Sequence, residues 1–313
     1  MPFTAKSGKF NASIRSLTIG IGDKAITLGG ECVLPFYSFD AAIENAPKVG
    51  IEITDCGMAA EPESVQKYYE GCTSVTDMAK RAAEFDGVDF LSLRLEGGDP
   101  NGLNKSTEEL IQIGKDVAAA VDLPLVVCGC KNVEKDAELL SKAAEALDGR
   151  NALLLAAKEE NYKAVGAAAG LAYKQVVGAE SSVDINLAKQ LNVLLTQLGV
   201  NSKTIAMNIG SAAAGYGFEY VISTMDRIKA AALSQGDATL QMPIITPVAS
   251  EVWGVKEAMA SEADIPEWGP AKERGIDMEV ETATAVLVSG SNAVILKHPE
   301  SVATISKLIK ELV

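Results

Sequence analysis

The sequence predicts an α/β chain folded as a (β/α)8 barrel of the TIM type behind an N-terminal β-hairpin, on three observations. From about residue 50 onward, eight short apolar runs alternate with longer segments in which apolar residues recur at i, i+3 and i+4. Most of these runs are almost continuously apolar, as parallel strands covered on both faces require. The first 30 residues depart from the pattern and read as two strands about a glycine-containing turn. Eight strand–helix units are the number that closes a barrel.

In chain order, Ser13–Ile19 and Ala25–Leu28 form the expected hairpin around Gly20-Ile21-Gly22-Asp23-Lys24, placed to plug the bottom of the barrel. The eight strands are expected at Val49–Thr54, Val88–Leu95, Leu123–Cys128, Ala152–Ala156, Gln175–Gly178, Thr204–Asn208, Met242–Ile245 and Ala293–Leu296. Helical period marks Thr107–Val121, Val133–Leu147, Ile185–Leu198, Phe218–Leu233 and Pro299–Leu312. Ser106 with Glu109 forms a capping box, and Asp122, Gly149 and Gly199 stand where helices should stop. Pro124 and Pro243 open strands, where a missing N–H is tolerated, and Pro299 opens the last helix. Residues 1–30 are therefore expected as a capping extension and 31–313 as one barrel domain.

Composition narrows the function. An apolar fraction of 48% with 22% charged residues describes a globular chain with a large core. A formal net charge of −14 repels nucleic acid and favours a partner with a cationic surface. Met1–Asn11 is short and polar and lacks the apolar segment of a signal peptide, and no run is long enough to span a bilayer. The five cysteines do not pair evenly, so reduced thiols in a cytoplasmic protein are expected.

In such barrels the loops after the strands build the site. Five are rich in candidates: Glu96–Gly102, Cys128–Asn132, Ala157–Asn161, Asn208–Gly217 and Thr246–Trp253. The loop after the sixth strand, small, uncharged and glycine-rich, suits a bulky ligand lying against its backbone; the alternative is a plain tight turn. From these loops come the candidate cofactor-binding residues Asp99, Asn101, Gly129, Asn208, Gly210, Ser211, Ala212, Ala213, Ala214, Gly215, Tyr216 and Thr246. Cys128 and Cys130 lack companions at any recognised metal spacing and are expected as interior packing. His298, the only histidine, reads as a helix-boundary residue, which leaves no multi-histidine metal site. Trp253 reads as packing or as cover for a flat ring, and Glu159, Glu160 and Glu251 as ordinary surface acids.

The stretches Val49–Asp55, Leu95-Glu96-Gly97-Gly98-Asp99-Pro100, Val127-Cys128-Gly129-Cys130, Met207-Asn208-Ile209-Gly210 and Ile245-Thr246-Pro247 together carry a further signal. With them the chain resembles the small subunit of the corrinoid iron–sulfur protein (the acetyl-CoA decarbonylase/synthase delta subunit family). The resemblance covers nearly the whole chain. It implies a barrel akin to pterin-binding methyltransferases and a heterodimer with a large subunit that carries the iron–sulfur cluster and much of the corrinoid (cobalamin). It also implies transient contact with methyltetrahydrofolate methyltransferase and acetyl-CoA synthase, between which the cobalt carries a methyl group in the anaerobic acetyl-CoA (Wood–Ljungdahl) pathway of carbon fixation.

Three features point to a supporting rather than chemical role. The cobalt-ligating D-x-H-x-x-G signature is missing, since the lone histidine reads Lys297-His298-Pro299. A cluster-binding cysteine set is missing, and the D-x-N pair that grips a pterin in related barrels falls on Ser92 and Arg94. The expected picture is a largely neutral rim, led by Gly210–Gly217, laid over one face of the corrinoid. The alternatives are a pterin-dependent corrinoid methyltransferase catalytic by itself, a lyase using Lys158, Lys131 or Lys297 as a Schiff-base amine, and a scaffold touching no ligand.

Overall fold

The structure, a computed structural model, describes residues 8–313. The first seven residues, which hold most of the polar Met1–Asn11 stretch and the start of the expected extension, lie outside the described residues.

Two short strands, β1 (Leu17–Ile19) and β2 (Ile26–Leu28), pair antiparallel with Ile19 opposite Ile26. Eight strands then run parallel: β3 (Lys48–Thr54), β4 (Phe90–Arg94), β5 (Leu125–Cys128), β6 (Leu153–Ala157), β7 (Val176–Glu180), β8 (Ile205–Asn208), β9 (Ile245–Pro247) and β10 (Ala293–Leu296). Their order is β8-β7-β6-β5-β4-β3-β10-β9, and a bridge between Met207 and Ile244 joins the two ends into a barrel.

Between the strands run α1 (Val75–Ala82), α2 (Thr107–Ala120), α3 (Val133–Ala146), α4 (Tyr162–Val165, continuing as a π-helical Gly166–Ala172), α5 (Ile185–Leu198), α6 (Phe218–Ser234), α7 (Ala271–Val288) and α8 (Pro299–Leu312). Their starts are chemically marked. Ser106 Oγ accepts the Glu109 N–H at 3.2 Å and Asn132 Oδ1 the Lys135 N–H at 3.0 Å, satisfying donors the helix itself leaves free. Gly199, at φ 107°, ends α5 in the left-handed conformation that costs other residues.

The expected hairpin and barrel are both present. The seventh strand is displaced: Ile245–Pro247 replaces the expected Met242–Ile245. Pro243 contributes only its carbonyl, to the Met207 N–H, and the Ile244 N–H turns to Asn292 Oδ1, so regular pairing begins later. The fifth strand runs two residues further than expected, carrying Glu180 to the rim.

Two apolar clusters hold the fold. One lies between strands and helices and takes Ile51, Ile53, Leu91, Leu93, Val127, Leu154, Val177 and Met207. The other fills the barrel interior with Phe90, Val126, Leu153, Leu155, Val176 and Ile295, and the hairpin adds Leu17, Ile19, Ile26 and Leu28 to it. The hairpin is tied to the strand N-termini: the Gly20 N–H reaches Asn151 O at 2.9 Å, and the Arg15 N–H reaches Gln241 O at 2.7 Å. It seals the bottom and leaves the opposite end for function.

Candidate functional site at the barrel mouth

Strand parity decides what reaches the mouth, because successive side chains alternate between barrel interior and helix layer. On β4, Phe90 faces inward while Leu91 and Leu93 join the helix layer, so Ser92 and then Arg94 climb the inner wall. By the same two-residue step, Glu52, Cys128, Glu180, Asn208, Pro247 and Lys297 arrive at the top.

A buried chain of ion pairs crosses part of this layer. Arg94 donates from Nε and Nη2 to Glu52 Oε2 at 2.9 and 2.7 Å. Lys297 Nζ lies 3.7 Å from Glu52 Oε1 and donates to Glu61 Oε2 at 2.6 Å. All four residues are buried. Burial pushes the Glu52 carboxyl up, but Arg94 and then Lys297 outweigh it and hold the group below the usual carboxylate range. Glu61 faces a single cation, and there burial wins, raising its pKa. Burial would lower Lys297, yet Glu61 and Glu52 raise it. A Schiff-base lysine needs the opposite shift, so Lys297 does not fit that role. Lys131 and Lys158 are ion-paired, to Glu251 at 3.0 Å and Glu180 at 2.9 Å.

Behind Lys297, Glu279 on α7 fixes the turn into α8 by accepting the Lys297 and His298 N–H groups at 2.6 and 3.1 Å. His298 is the N-cap of α8, its Nδ1 accepting the Glu300 N–H at 3.2 Å, as its helix-boundary position suggested. Its ring stacks on Trp253 at 6.0 Å, and both are buried, so Trp253 packs against His298 while it also edges the larger cavity at the mouth. Burial drives the His298 pKa down to about 4. Between its ordinary 6.5 and about 4, the unfolded chain takes up a proton that the folded chain refuses. Stability contributed by neutral His298 is therefore lost as pH falls through that window. As the only histidine, it gives a single imidazole signal in a proton NMR titration, expected to stay neutral down to about pH 4; a midpoint near 6.5 would contradict its burial.

Two adjoining cavities open at the mouth. The smaller, 170 Å³, is lined by residues that include Arg94, Lys131, Asp136, Lys158, Glu180 and Asn208. The larger, 490 Å³, lies toward β3 and β10 and takes Glu52, Asp99, Leu103, Trp253, Met259 and Lys297 among others. They share Arg94, Gly129, Lys131 and Ser250. The Lys131–Glu251 pair joins the loops after β5 and β9, strands four positions apart around an eight-stranded ring, and so spans the mouth. The rim expected to be neutral through small residues is instead charged. Three cationic and three acidic side chains line the smaller cavity.

Among the candidate residues, Gly129, Asn208, Gly210 and Ser211 come together around the smaller cavity. Asn208 Oδ1 accepts the Gly210 N–H at 3.0 Å, and its Nδ2 reaches Glu180 at 3.3 Å. The Ser211 and Ala212 amides have no partner among the described residues, while the Ala214 amide turns to Thr282. Ala213 is buried in the core and Ala212 packs against it. Gly215 and Tyr216 stand exposed beyond the cavity, Tyr216 bonded to Glu257.

In the loop after β4 two amides are satisfied by side chains, one from the end of β3 and one from the loop itself. Asp55 Oδ1 accepts from Gly97, and Asp99 Oδ1 from Asn101. Asp99 lines the larger cavity, and Asn101 lies outside both. Thr246 points away: fully buried, it pairs with Ser291 Oγ at 2.8 Å on the outer face of β9. Cys128 fills the barrel interior beside Ser92, while Cys130 lies past the strand end against the larger cavity. All five cysteines are free, and no group of three potential metal ligands occurs among the described residues.

Glu52, Glu61 and Glu180 are missing from the candidates the sequence offers, and Arg94, Lys131, Lys158, Glu251 and Lys297 appear there only in other roles. The available signal was a charge inside an apolar strand, at the parity of the inner wall, for Glu52 and Arg94. Nothing local marks Glu61, which reaches Lys297 from 236 positions away.

Fold and mouth together define a closed (β/α)8 barrel with a charge-paired, two-chambered rim. The Xanthomonas albilineans dihydropteroate synthase with 4-aminobenzoic acid superposes with a TM-score of 0.57 at 13% identity, covering 95% of this chain and 98% of that one. The Thermus thermophilus dihydropteroate synthase in complex with 4-aminobenzoate gives 0.52 at 12% identity, covering 95% and 100%. At such identity the likeness concerns the fold. Residues 16–306 match the CO dehydrogenase/acetyl-CoA synthase delta subunit family (CdhD), and the chain belongs to that family.

Curated relatives agree. The acetyl-CoA decarbonylase/synthase complex subunit delta 2 of Methanosarcina acetivorans is 32% identical over 94% of this chain and 67% of its own length. The delta subunit of Archaeoglobus fulgidus is 32% identical over 94% and 65%. That of Methanothermobacter thermautotrophicus is 32% identical over 97% and 78%. The chain thus spans about two thirds of the length of the first two.

Proposed function

We propose that this chain is the barrel subunit of a corrinoid iron–sulfur protein and lays its open rim over a corrinoid held mainly by a large subunit. The observation that carries it is the mouth itself. The two cavities are open and too small to enclose a corrin ring, but side by side they form a polar floor on which one face of a flat macrocycle can rest. Exposed Leu103 and Met259 edge the larger cavity, the apolar surface a partner would cover.

The residues fit that group. The only imidazole is sealed between Trp253 and Tyr68, so it would not be available as a ligand to the cobalt of a corrinoid resting on the rim. Gly210 and Ser211 line the floor without bulk. When bound, the corrinoid supplies the cobalt that carries a methyl group from methyltetrahydrofolate methyltransferase to acetyl-CoA synthase. The chain's own work is to exclude water, hold the macrocycle's edge and shape partner access. Its acidic charge favours partners with cationic surfaces.

Co-purification with the large subunit, followed by the corrinoid absorption spectrum, tests the proposal. Ser211→Trp, which fills the smaller cavity, is expected to lower bound corrinoid per heterodimer severalfold while leaving the thermal midpoint of the free chain within a few degrees. Unchanged corrinoid content, or tight methyltetrahydrofolate binding by the isolated chain, would favour a catalytic pterin-dependent barrel instead.

A further inference from the structure

The smaller chamber combines features the lid function does not by itself require. Arg94 is buried and held by two bonds to Glu52, yet it lines both cavities and its Nη1 has no partner among the described residues. This is a charged donor pinned in direction, with its lost rotamer freedom already accounted for by folding. Across the chamber stands Glu180, an acceptor oriented by Lys158 at 2.9 Å and Asn208 at 3.3 Å. Three cations facing three acids leave no net field for an anion, so a free carboxylate or phosphate gains little.

A neutral group with a carbonyl oxygen and an N–H on one carbon matches both sides at once. Where polar groups are fixed and partly desolvated, as Arg94 and Glu180 are, a ligand that leaves one of them unmatched is disfavoured. We infer that the smaller chamber is a pocket for a primary carboxamide, with Arg94 donating to its oxygen and Glu180 accepting from its nitrogen. This inference rests on the corrinoid reading for its ligand. The rim of a corrin ring carries acetamide and propionamide arms, and the 170 Å³ chamber has room for one such arm and not for the ring. An asparagine or glutamine of the partner subunit would offer the same chemistry; we assign the arm to the corrinoid because the chamber opens on the face the macrocycle would cover.

The chain has six arginines, so ¹⁵N-arginine labelling gives a sparse set of Nε–H signals in which Arg94→Lys identifies one. Propionamide added to the full chain is expected to shift the Arg94 signal saturably. Propionate and methyl propionate should bind about fivefold more weakly or worse. Glu180→Ala, which leaves the Glu52–Arg94 pair intact, should weaken propionamide by a similar factor. No saturable shift with propionamide, or an equal response to propionate, overturns the pocket. In the heterodimer, loss of the propionamide response only when the large subunit carries corrinoid supports the corrinoid arm. Loss with the corrinoid-free large subunit overturns that source in favour of a partner side chain. Propionamide binding that persists beside a fully loaded large subunit places the corrinoid elsewhere and sinks the lid reading while leaving the pocket.

Discussion

Glu52→Gln is expected to lower the unfolding free energy by about 3–5 kcal/mol, read from urea denaturation of the free chain. The wild-type carboxylate stands 2.7 Å from Arg94 and 3.7 Å from Lys297, and all three are buried. The amide keeps the shape and loses the charge, leaving one buried cation without its carboxylate and the other tied to Glu61 alone. The pair itself need not be a net stabiliser, since desolvating its members costs several kcal/mol; removing one partner exposes that cost. Lys131→Ala provides the contrast. Its bridge to Glu251 is largely exposed, and its loss should change stability by less than about 1 kcal/mol. Equal small effects from both substitutions would mean that the inner wall is wetter than its burial indicates.

Phe90→Ala carries the second large effect, about 3–5 kcal/mol. The ring is fully buried in the interior cluster shared with the hairpin. It also occupies the space where a side chain at Gly50 would stand: a Cβ there would run into the Phe90 ring edge. The truncation therefore opens a void on the axis of the barrel, with the neighbouring position contributing no atoms to fill it. Protection of the Gly20 amide against hydrogen exchange should fall together with the global midpoint, because the plug and the inner wall share one core. Loss of hairpin protection without global destabilisation would separate the two.

The fold was legible because its periodicities are long and mutually consistent: eight apolar runs, helical stretches between them, and caps at Ser106, Gly199 and Pro299 where the helices begin or end. The error at the seventh strand came from giving the apolar run more weight than the proline inside it. The site was legible only in part. Loop composition led to Gly129, Asn208, Gly210 and Ser211, which do meet. It also led to Thr246, whose neighbour Ile245 joins the interior cluster; parity alone turns Thr246 outward. The charged layer as a unit escaped because its pairing is long-range. Glu52 with Arg94 spans 42 positions and Lys131 with Glu251 spans 120, separations that closure of the barrel brings together.

Hydrogen exchange across the heterodimer tests the central claim most directly. Amides of the loops after β5 and β8, Gly129–Asn132 and Ile209–Gly217, are compared in the free chain, with the corrinoid-free large subunit, and with the corrinoid-loaded one. Slowed exchange at both loops, greatest with the loaded subunit, is the expected result. Protection confined to the hairpin end, or a rim that exchanges as fast in the loaded heterodimer as in the free chain, would contradict it.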